Sequence, residues 1–204
     1  MHLLDEMSRF LLIRHGETDH VGRMLSGRTP GIHLNARGRA QAQSLAKWLG
    51  TEYEDPILVS SPLERAQETA RFFEKGRPII SEPALTELDF GDWTGLTFPE
   101  LEKDPLWEAY NRTRSIVRPP RGEAPMSVQA RAWTCLLEWA RRNRDSVFFA
   151  FTHADVIRSA LAAGLGMPLD HLLRLRVDPC SVSEIVIDDG VQIGYVNRTV
   201  IEAS

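Results

Sequence analysis

Phe10-Leu11-Leu12-Ile13-Arg14-His15-Gly16-Glu17 is the stretch on which the reading of this chain turns. Its first four residues form a short apolar run, the pattern of a buried strand. Arg and His directly after such a run are poor material for more strand. At the carboxyl end of a strand in an α/β sheet they are well placed for a ligand. An arginine beside a histidine there points to a bound anion and to a nucleophile or proton carrier. The plainer alternative is a basic turn facing water.

Working outward, strand and helix patterns alternate, which predicts an α/β fold with a mostly parallel central sheet. A loop over residues 22–35 carries Gly22, Gly27 and Gly31. Asn35 is placed to cap a helix in which Ala42, Leu45, Ala46 and Leu49 recur at helical spacing, with Gly50 to end it. Pro56 to Val59 reads as a second strand, residues 61–74 as a second helix and residues 78–80 as a short strand. Residues 87–125 are irregular, hold five of the twelve prolines and are dotted with Phe90, Trp93, Phe98, Trp107 and Tyr110. The aromatics favour an ordered lid with short helices. A helix over residues 126–143 follows, with Val128, Ala132, Cys135, Leu136 and Trp139 on one side. Val147 to Phe151 is a strand and residues 153–164 a helix. Val182 to Ile187 and Gln192 to Val196, joined by Asp188-Asp189-Gly190, predict a closing hairpin.

With 204 residues, 43% hydrophobic and 25% charged, residues 1–204 are expected to form one domain. A formal charge of −4 gives no reason to expect nucleic acid or an anionic membrane as partner, so any anion site must be local. No apolar stretch approaches the roughly 20 residues that span a bilayer. Asp5 and Glu6 interrupt any signal-peptide pattern, and two cysteines, Cys135 and Cys180, are too few for a disulfide framework. The expected compartment is cytoplasmic.

Two further segments repeat the design of the first. In Ser60-Ser61-Pro62-Leu63-Glu64-Arg65, Ser61 and Glu64 have capping-box spacing and Pro62 falls at the first helical position, which puts Arg65 in a first turn. A cation there is unfavourable beside the helix dipole unless an anion is also present; the alternative is an arginine that reaches water. After Val147-Phe148-Phe149-Ala150-Phe151 come Thr152 and Asp155, again at capping-box spacing, with His153 at the first helical position, where free N–H groups favour anions. In one parallel sheet these strand ends share an edge. Arg14, His15, Arg65 and His153 then surround one small anion, and two guanidinium forks suit a tetrahedral phosphate. A histidine neutral on its attacking nitrogen can take up the phosphoryl group covalently, provided its other nitrogen donates to a backbone carbonyl. Glu87 is the candidate acid for the leaving oxygen, with Asp89 and Asp92 as competitors that the sequence does not separate.

With these residues in place the chain resembles the histidine phosphatase superfamily, also called phosphoglycerate mutase-like. The resemblance rests on Leu12-Ile13-Arg14-His15-Gly16-Glu17-Thr18, on Leu34-Asn35-Ala36-Arg37-Gly38-Arg39-Ala40-Gln41-Ala42 and on residues 60–70. Glu87 with Gly91 and Trp93, and Thr152-His153 before Val156-Ile157-Arg158, complete it in the family's order. It implies a three-layer α/β/α sandwich and a covalent phosphohistidine mechanism with neither metal nor other cofactor. Carried over, His15 is the nucleophile, Arg14, Arg65 and His153 form the phosphate pocket, and Glu87 is proton donor and then base. The N–H of Ala154 contacts phosphate, at a position where the family often has Gly. Val21 stands where many members carry an Asn whose amide meets phosphate; Ser26 and Gly27, at positions of small residues near the substrate, partly compensate.

The resemblance points to the phosphatase branch: a phosphomonoester hydrolase acting on a small phosphorylated metabolite. The alternatives are a cofactor-dependent phosphoglycerate mutase and, from another class, a non-catalytic phosphate-binding module, which is expected to lack His15 or Glu87. A metal hydrolase assembled from His153, Asp155, His2, His20, His33 and His171 lacks any recognisable ligand spacing. Cys135 and Arg141 have the Cys-x5-Arg spacing of cysteine phosphatases but fall in a helical pattern, which favours a core cysteine. Arg112, Arg114, Arg118 and Arg121 are read as a solvated face rather than a second anion site. Trp93, Phe98 and Trp107 are left between lining a substrate pocket and packing the lid.

Overall fold

In the computed structural model, which describes residues 7–200, strand β1 (Ser8–Arg14) carries side chains into both faces of the sheet. Phe10 and Leu12 join one apolar cluster and Leu11 and Ile13 another. This two-residue alternation is the pleat, and a strand apolar on both sides needs helices on both sides. Asp5, Glu6 and His2 lie outside the described residues. Helix α1 (Ala36–Glu52) follows the glycine loop, and the Asn35 side chain accepts from the Gly38 N–H at 2.8 Å as its cap. The helix passes through Gly50 and ends two residues beyond it, where Tyr53 turns extended.

Strands β2 (Ile57–Ser60), β3 (Ile79–Ser81), β4 (Val147–Thr152), β5 (Val182–Ile187) and β6 (Val191–Ile193) complete a sheet of order β3-β2-β4-β1-β5-β6. The first four strands in that order are parallel, and β5 and β6 are added antiparallel. Helices α1 and α2 (Glu64–Arg71) cover the Leu11 face; α5 (Pro125–Arg142) and α6 (Ala154–Leu165) cover the Phe10 face. The three-layer α/β/α sandwich with its mostly parallel sheet is as expected. The hairpin is too, but its second strand stops at Ile193. Gly194 N–H and Tyr195 C=O both bond Glu184, so two residues face one and the strand bulges.

Two helix starts differ from expectation. Neither capping box forms. Helix α2 begins at Glu64 with Leu63 as its cap and ends at Arg71, not over 61–74. Ser61 Oγ is engaged by His153 Nε2 at 2.8 Å, and Glu64 instead accepts from the Gly31 N–H at 3.0 Å. At α6, Thr152 belongs to β4 and donates to Leu85 C=O, and His153 is the cap residue rather than the first helical one. Asp155 spends its carboxylate on two arginines instead of on the backbone.

The irregular segment is an ordered cover with short helices α3 (Phe98–Leu101) and α4 (Pro105–Arg112). Trp93, Trp107 and Tyr110 stack around one another with centroids 5.3–5.8 Å apart, and the Trp93 indole N–H donates to Asp104 at 2.8 Å. Trp93 and Trp107 therefore pack the cover. Among the described residues no helix is long and apolar enough to cross a membrane.

Candidate active site

Sheet register fixes what meets at the carboxyl edge. Ile13, Phe151 and Ser60 stand level across β1, β4 and β2, and Arg14 is level with Thr152. One step further each chain leaves the sheet, at His15, His153 and Ser61. The backbone locks this row: His15 N–H donates to Thr152 C=O at 3.0 Å, Ser61 N–H to Phe151 C=O at 2.9 Å and Cys180 N–H to Arg14 C=O at 3.1 Å. Because β4 lies between β1 and β2, the chain crosses over at this edge, which is where ligands bind in open α/β sheets.

Gly16 lets the first loop pack closely against the start of α1. A Cβ on Gly16 would stand 2.6 Å from Gly38 C=O, and one on Gly38 would stand 2.1 Å from Glu17 C=O. The loop thus lies on the first turn of α1 with no room for side chains on either partner. Gly16 N–H donates to Thr69 Oγ1 at 3.0 Å, which ties the same loop to α2.

His15 is buried, and its Nδ1 lies 2.8 Å from Gly16 C=O. A carbonyl only accepts, so Nδ1 carries the hydrogen and Nε2 keeps its lone pair. Arg65 Nε donates to that Nε2 at 3.3 Å, and Arg65 Nη2 donates to Gly27 C=O at 2.7 Å. Arg14 Nη1 donates to Val177 C=O at 2.7 Å. Arg14 Nε and Arg65 Nη1 are buried without a protein partner among the described residues. Both remain available to an oxyanion. His153 is fully buried, its ring centroid 5.2 Å from that of His15. It reaches the site through His15 and Ser61 rather than by lining the cavity, and its Nδ1 has no protein partner among the described residues. Ala154 heads α6 beside it, half-buried.

Arg14, His15, Arg65, Glu87, Ser26 and Gly27 all line one cavity of about 120 Å³. Val21 lines it too, an apolar wall where an amide was expected by resemblance. Ser26 Oγ lies 3.2 Å from His20 Nδ1. The three acids separate cleanly. Glu87 lines the cavity; Asp89 accepts from the Gly91 N–H at 2.9 Å; Asp92 pairs with the exposed Arg121.

Burial, reinforced by the Arg65 and Arg14 charges, holds His15 well below the ordinary histidine range. Burial and the Arg65 charge do the same to His153. Burial pushes the Glu87 carboxyl up to about 7, aided by the nearby Asp155 charge and opposed by the Leu88 N–H, Arg65 and Arg14. On the acid side of pH 7 the site therefore combines a neutral imidazole, two arginines and a carboxyl that holds its proton. This set can attack phosphorus, spread the charge of a transferring phosphoryl group and protonate a leaving oxygen.

One group escaped the sequence reading. Asp155 lines the cavity and accepts from Arg158 at 3.1 Å and from Arg114 at 3.3 Å. Arg114 is 4% exposed and its guanidinium lies 4.5 Å over the Tyr110 ring, so the solvated-face reading fails at this residue. Arg112, Arg118 and Arg121 are exposed as expected. Phe98 lines the cavity. His33 bonds Glu68, and among the described residues no three His, Cys, Asp or Glu side chains are grouped to hold a metal ion. Cys135 sits in the core of α5, where burial pushes its thiol up to about 12.

Known proteins share this architecture. The family model for the histidine phosphatase superfamily (branch 1) matches residues 10–197. A bifunctional protein of Mycobacterium tuberculosis is 34% identical over 211 residues, covering 94% of this chain and 54% of that protein. The chain thus spans about half the length of that relative. The adenosylcobalamin/alpha-ribazole phosphatase of Escherichia coli is 31% identical over 186 residues, covering 88% of this chain and 90% of that one. The solved structure of mycobacterial glucosyl-3-phosphoglycerate phosphatase superposes with a TM-score of 0.83 at 25% identity, covering 95% of this chain and 100% of that one.

Proposed function

The chain belongs to the histidine phosphatase superfamily, and from that premise we propose that it hydrolyses phosphate monoesters of small metabolites through a phosphohistidine on His15. The observation that carries this reading is the pairing of His15 Nε2 with Arg65 Nε at 3.3 Å while Nδ1 is held by Gly16 C=O. A lone pair is kept on the one nitrogen that faces an anion-binding guanidinium.

The residues define two steps. Arg14 and Arg65 hold the phosphoryl oxygens so that the ester P–O bond lies in line with Nε2. The Nε2 lone pair forms an N–P bond as the ester P–O bond breaks, and the leaving oxygen takes the Glu87 proton. The Glu87 carboxylate then takes a proton from water, whose oxygen bonds phosphorus as the N–P bond breaks, returning neutral His15. His153 and Ser61 keep the imidazole row in place, and the Ala154 N–H at the head of α6 meets a phosphoryl oxygen. Ser26 and Gly27 border the ester. No metal ion or cofactor takes part in this scheme.

The enzyme is of the acid-phosphatase type, because its acid is protonated and its nucleophile neutral on the acid side of pH 7. Residues 1–204 work as one domain, in the cytoplasm, on a small ester and without a nucleic-acid partner. The test is phosphate release over a panel of phosphorylated metabolites, run beside 3- to 2-phosphoglycerate conversion, with His15→Ala as control. Hydrolysis of at least one ester by the wild type, absent in the variant, is the expected result. Isomerisation without net phosphate release would favour the mutase.

A further inference from the structure

Residues 87–90, which begin with the proposed acid, are neither helix nor strand. No sheet register or helical ladder therefore places the Glu87 carboxyl, and its stretch of backbone needs other partners. Side chains and one loop N–H supply them. Arg131 Nη1 donates to Ala84 C=O and Thr152 Oγ1 to Leu85 C=O, both at 2.5 Å. Glu123 N–H donates to Asp89 C=O at 2.8 Å. Between these anchors, Glu87 C=O accepts from two cations, Arg28 Nε at 2.8 Å and Arg131 Nη2 at 3.3 Å.

Two guanidinium groups on one carbonyl repel each other unless an anion joins them. Glu123 is that anion. Its Oε2 accepts from Arg28 Nη2 at 2.7 Å and from Arg131 Nη2 at 3.1 Å, and its Oε1 accepts from Arg131 Nε at 2.8 Å. Arg28, Glu123, Arg131 and the Glu87 carbonyl thus close a ring of charge-assisted hydrogen bonds. The Glu123 side chain is 16% exposed, which sets its pairing apart from a surface ion pair. Arg28 comes from the glycine loop, Glu123 from the end of the cover and Arg131 from α5. None of the three lines the catalytic cavity. Arg28 also follows Gly27, whose C=O accepts from Arg65 Nη2 at 2.7 Å. Adjacent residues of one loop therefore hold the phosphate-binding guanidinium and the backbone of the acid.

Resting on the phosphatase reading, we propose that Glu123 is a positioning residue for the acid step: through Arg28 and Arg131 it fixes the Glu87 carboxyl where the ester oxygen leaves. Glu123 itself touches neither substrate nor reacting atoms. Without its charge the two guanidinium groups face each other uncompensated, and Arg28, on a loop, gives way. The Glu87 carbonyl then loses a donor and the carboxyl its fixed place. A misplacement of about 1 Å at a reacting group costs about 10²-fold in rate. The loss falls on one event. As the ester P–O bond breaks, the leaving oxygen takes the Glu87 proton, and an oxygen that leaves as a stable anion has little need of it.

The experiment compares kcat/KM for phenyl phosphate, whose leaving oxygen is basic, and 2,4-dinitrophenyl phosphate, whose leaving oxygen is a stable anion. Glu123→Gln is expected to lose about 10–10²-fold on phenyl phosphate and to stay close to the wild type on the dinitrophenyl ester. Glu87→Gln should show the same contrast, and adding Glu123→Gln to it should cost little more, because both act on one proton. Arg28→Met opens the ring from the loop side, should repeat the pattern, and serves if Glu123→Gln does not fold. Equal losses on both esters in the folded variants, beside a selective loss in Glu87→Gln, overturn the inference and leave the phosphatase reading standing. A full further loss from Glu123→Gln in the Glu87→Gln background does the same, whether read on these esters or on the best ester of the metabolite panel. Equal losses on both esters in Glu87→Gln remove Glu87 as the acid, and the inference with it. Hydrolysis of neither these two esters nor any of the metabolite panel overturns the phosphatase reading, and the inference falls too.

Discussion

Arg65 and His15, fifty residues apart in sequence, meet at 3.3 Å between Nε and Nε2 inside the buried edge of the sheet. The contact orients the guanidinium toward the atom proposed to attack phosphorus. Arg65→Lys keeps the charge but loses the planar fork that bonds His15 and Gly27 together. We predict a fall of about 10²–10³ in kcat, the scale of losing one preorganised donor. Steady-state kinetics check it, and a loss confined to KM would contradict it.

The Glu87 carboxyl, raised to about 7, sets the alkaline limb of activity. Above that pH the acid is already ionised, so kcat/KM is predicted to fall as pH rises through about 7. Glu87→Gln should remove this limb and lower kcat by about 10²–10⁴. A pH–rate profile of both proteins checks the pair of effects.

The same shift has a consequence for stability. Glu87 binds its proton more tightly folded than unfolded, so its contribution is full below about 4.5 and is lost as pH rises to about 7. His15 and His153 act in the opposite sense. Their folded values are depressed, so their contribution is present above the ordinary histidine value of 6.5 and is lost as pH falls below it. Glu87→Gln should therefore gain about 3 kcal/mol on the wild type between pH 4.5 and 7. Urea unfolding at the two pH values measures the difference; a constant gap would contradict it.

Asp155 ties the catalytic edge to the cover through Arg114. Asp155→Asn breaks a buried pair and leaves two arginines short of a counter-charge, at a cost of about 3–5 kcal/mol. It also removes a charge that raises Glu87, so the alkaline limb of the pH profile should move to lower pH. Denaturant unfolding reads the first effect and kinetics the second. A merely structural residue would leave the limb in place.

Much of this site was legible before any coordinates. Period-two patterns placed the strands, helical patterns placed the helices, and basic residues within a few positions of three apolar runs marked the shared edge. What failed was local and had a tertiary cause. Ser61 and Asp155 have the spacing of caps, but His153 takes the one and two arginines take the other. Sequence spacing cannot see a partner 92 residues away. Arg114 was misread for the same reason: its carboxylate lies on another element, 41 residues on. Glu87 was the candidate acid, but the residues alone did not rank it decisively over Asp89 and Asp92, because only the folded chain turns the latter two to the backbone and to Arg121.

The central claim is covalent attack by His15, and the direct test is to catch the intermediate. Wild-type protein mixed with a phosphate ester labelled on phosphorus is quenched within one turnover, digested and mapped. We predict label on the peptide carrying His15, stable in base and released by acid, and none in His15→Ala. Continued ester hydrolysis with no label at residue 15, or hydrolysis by His15→Ala at the wild-type rate, would contradict the account.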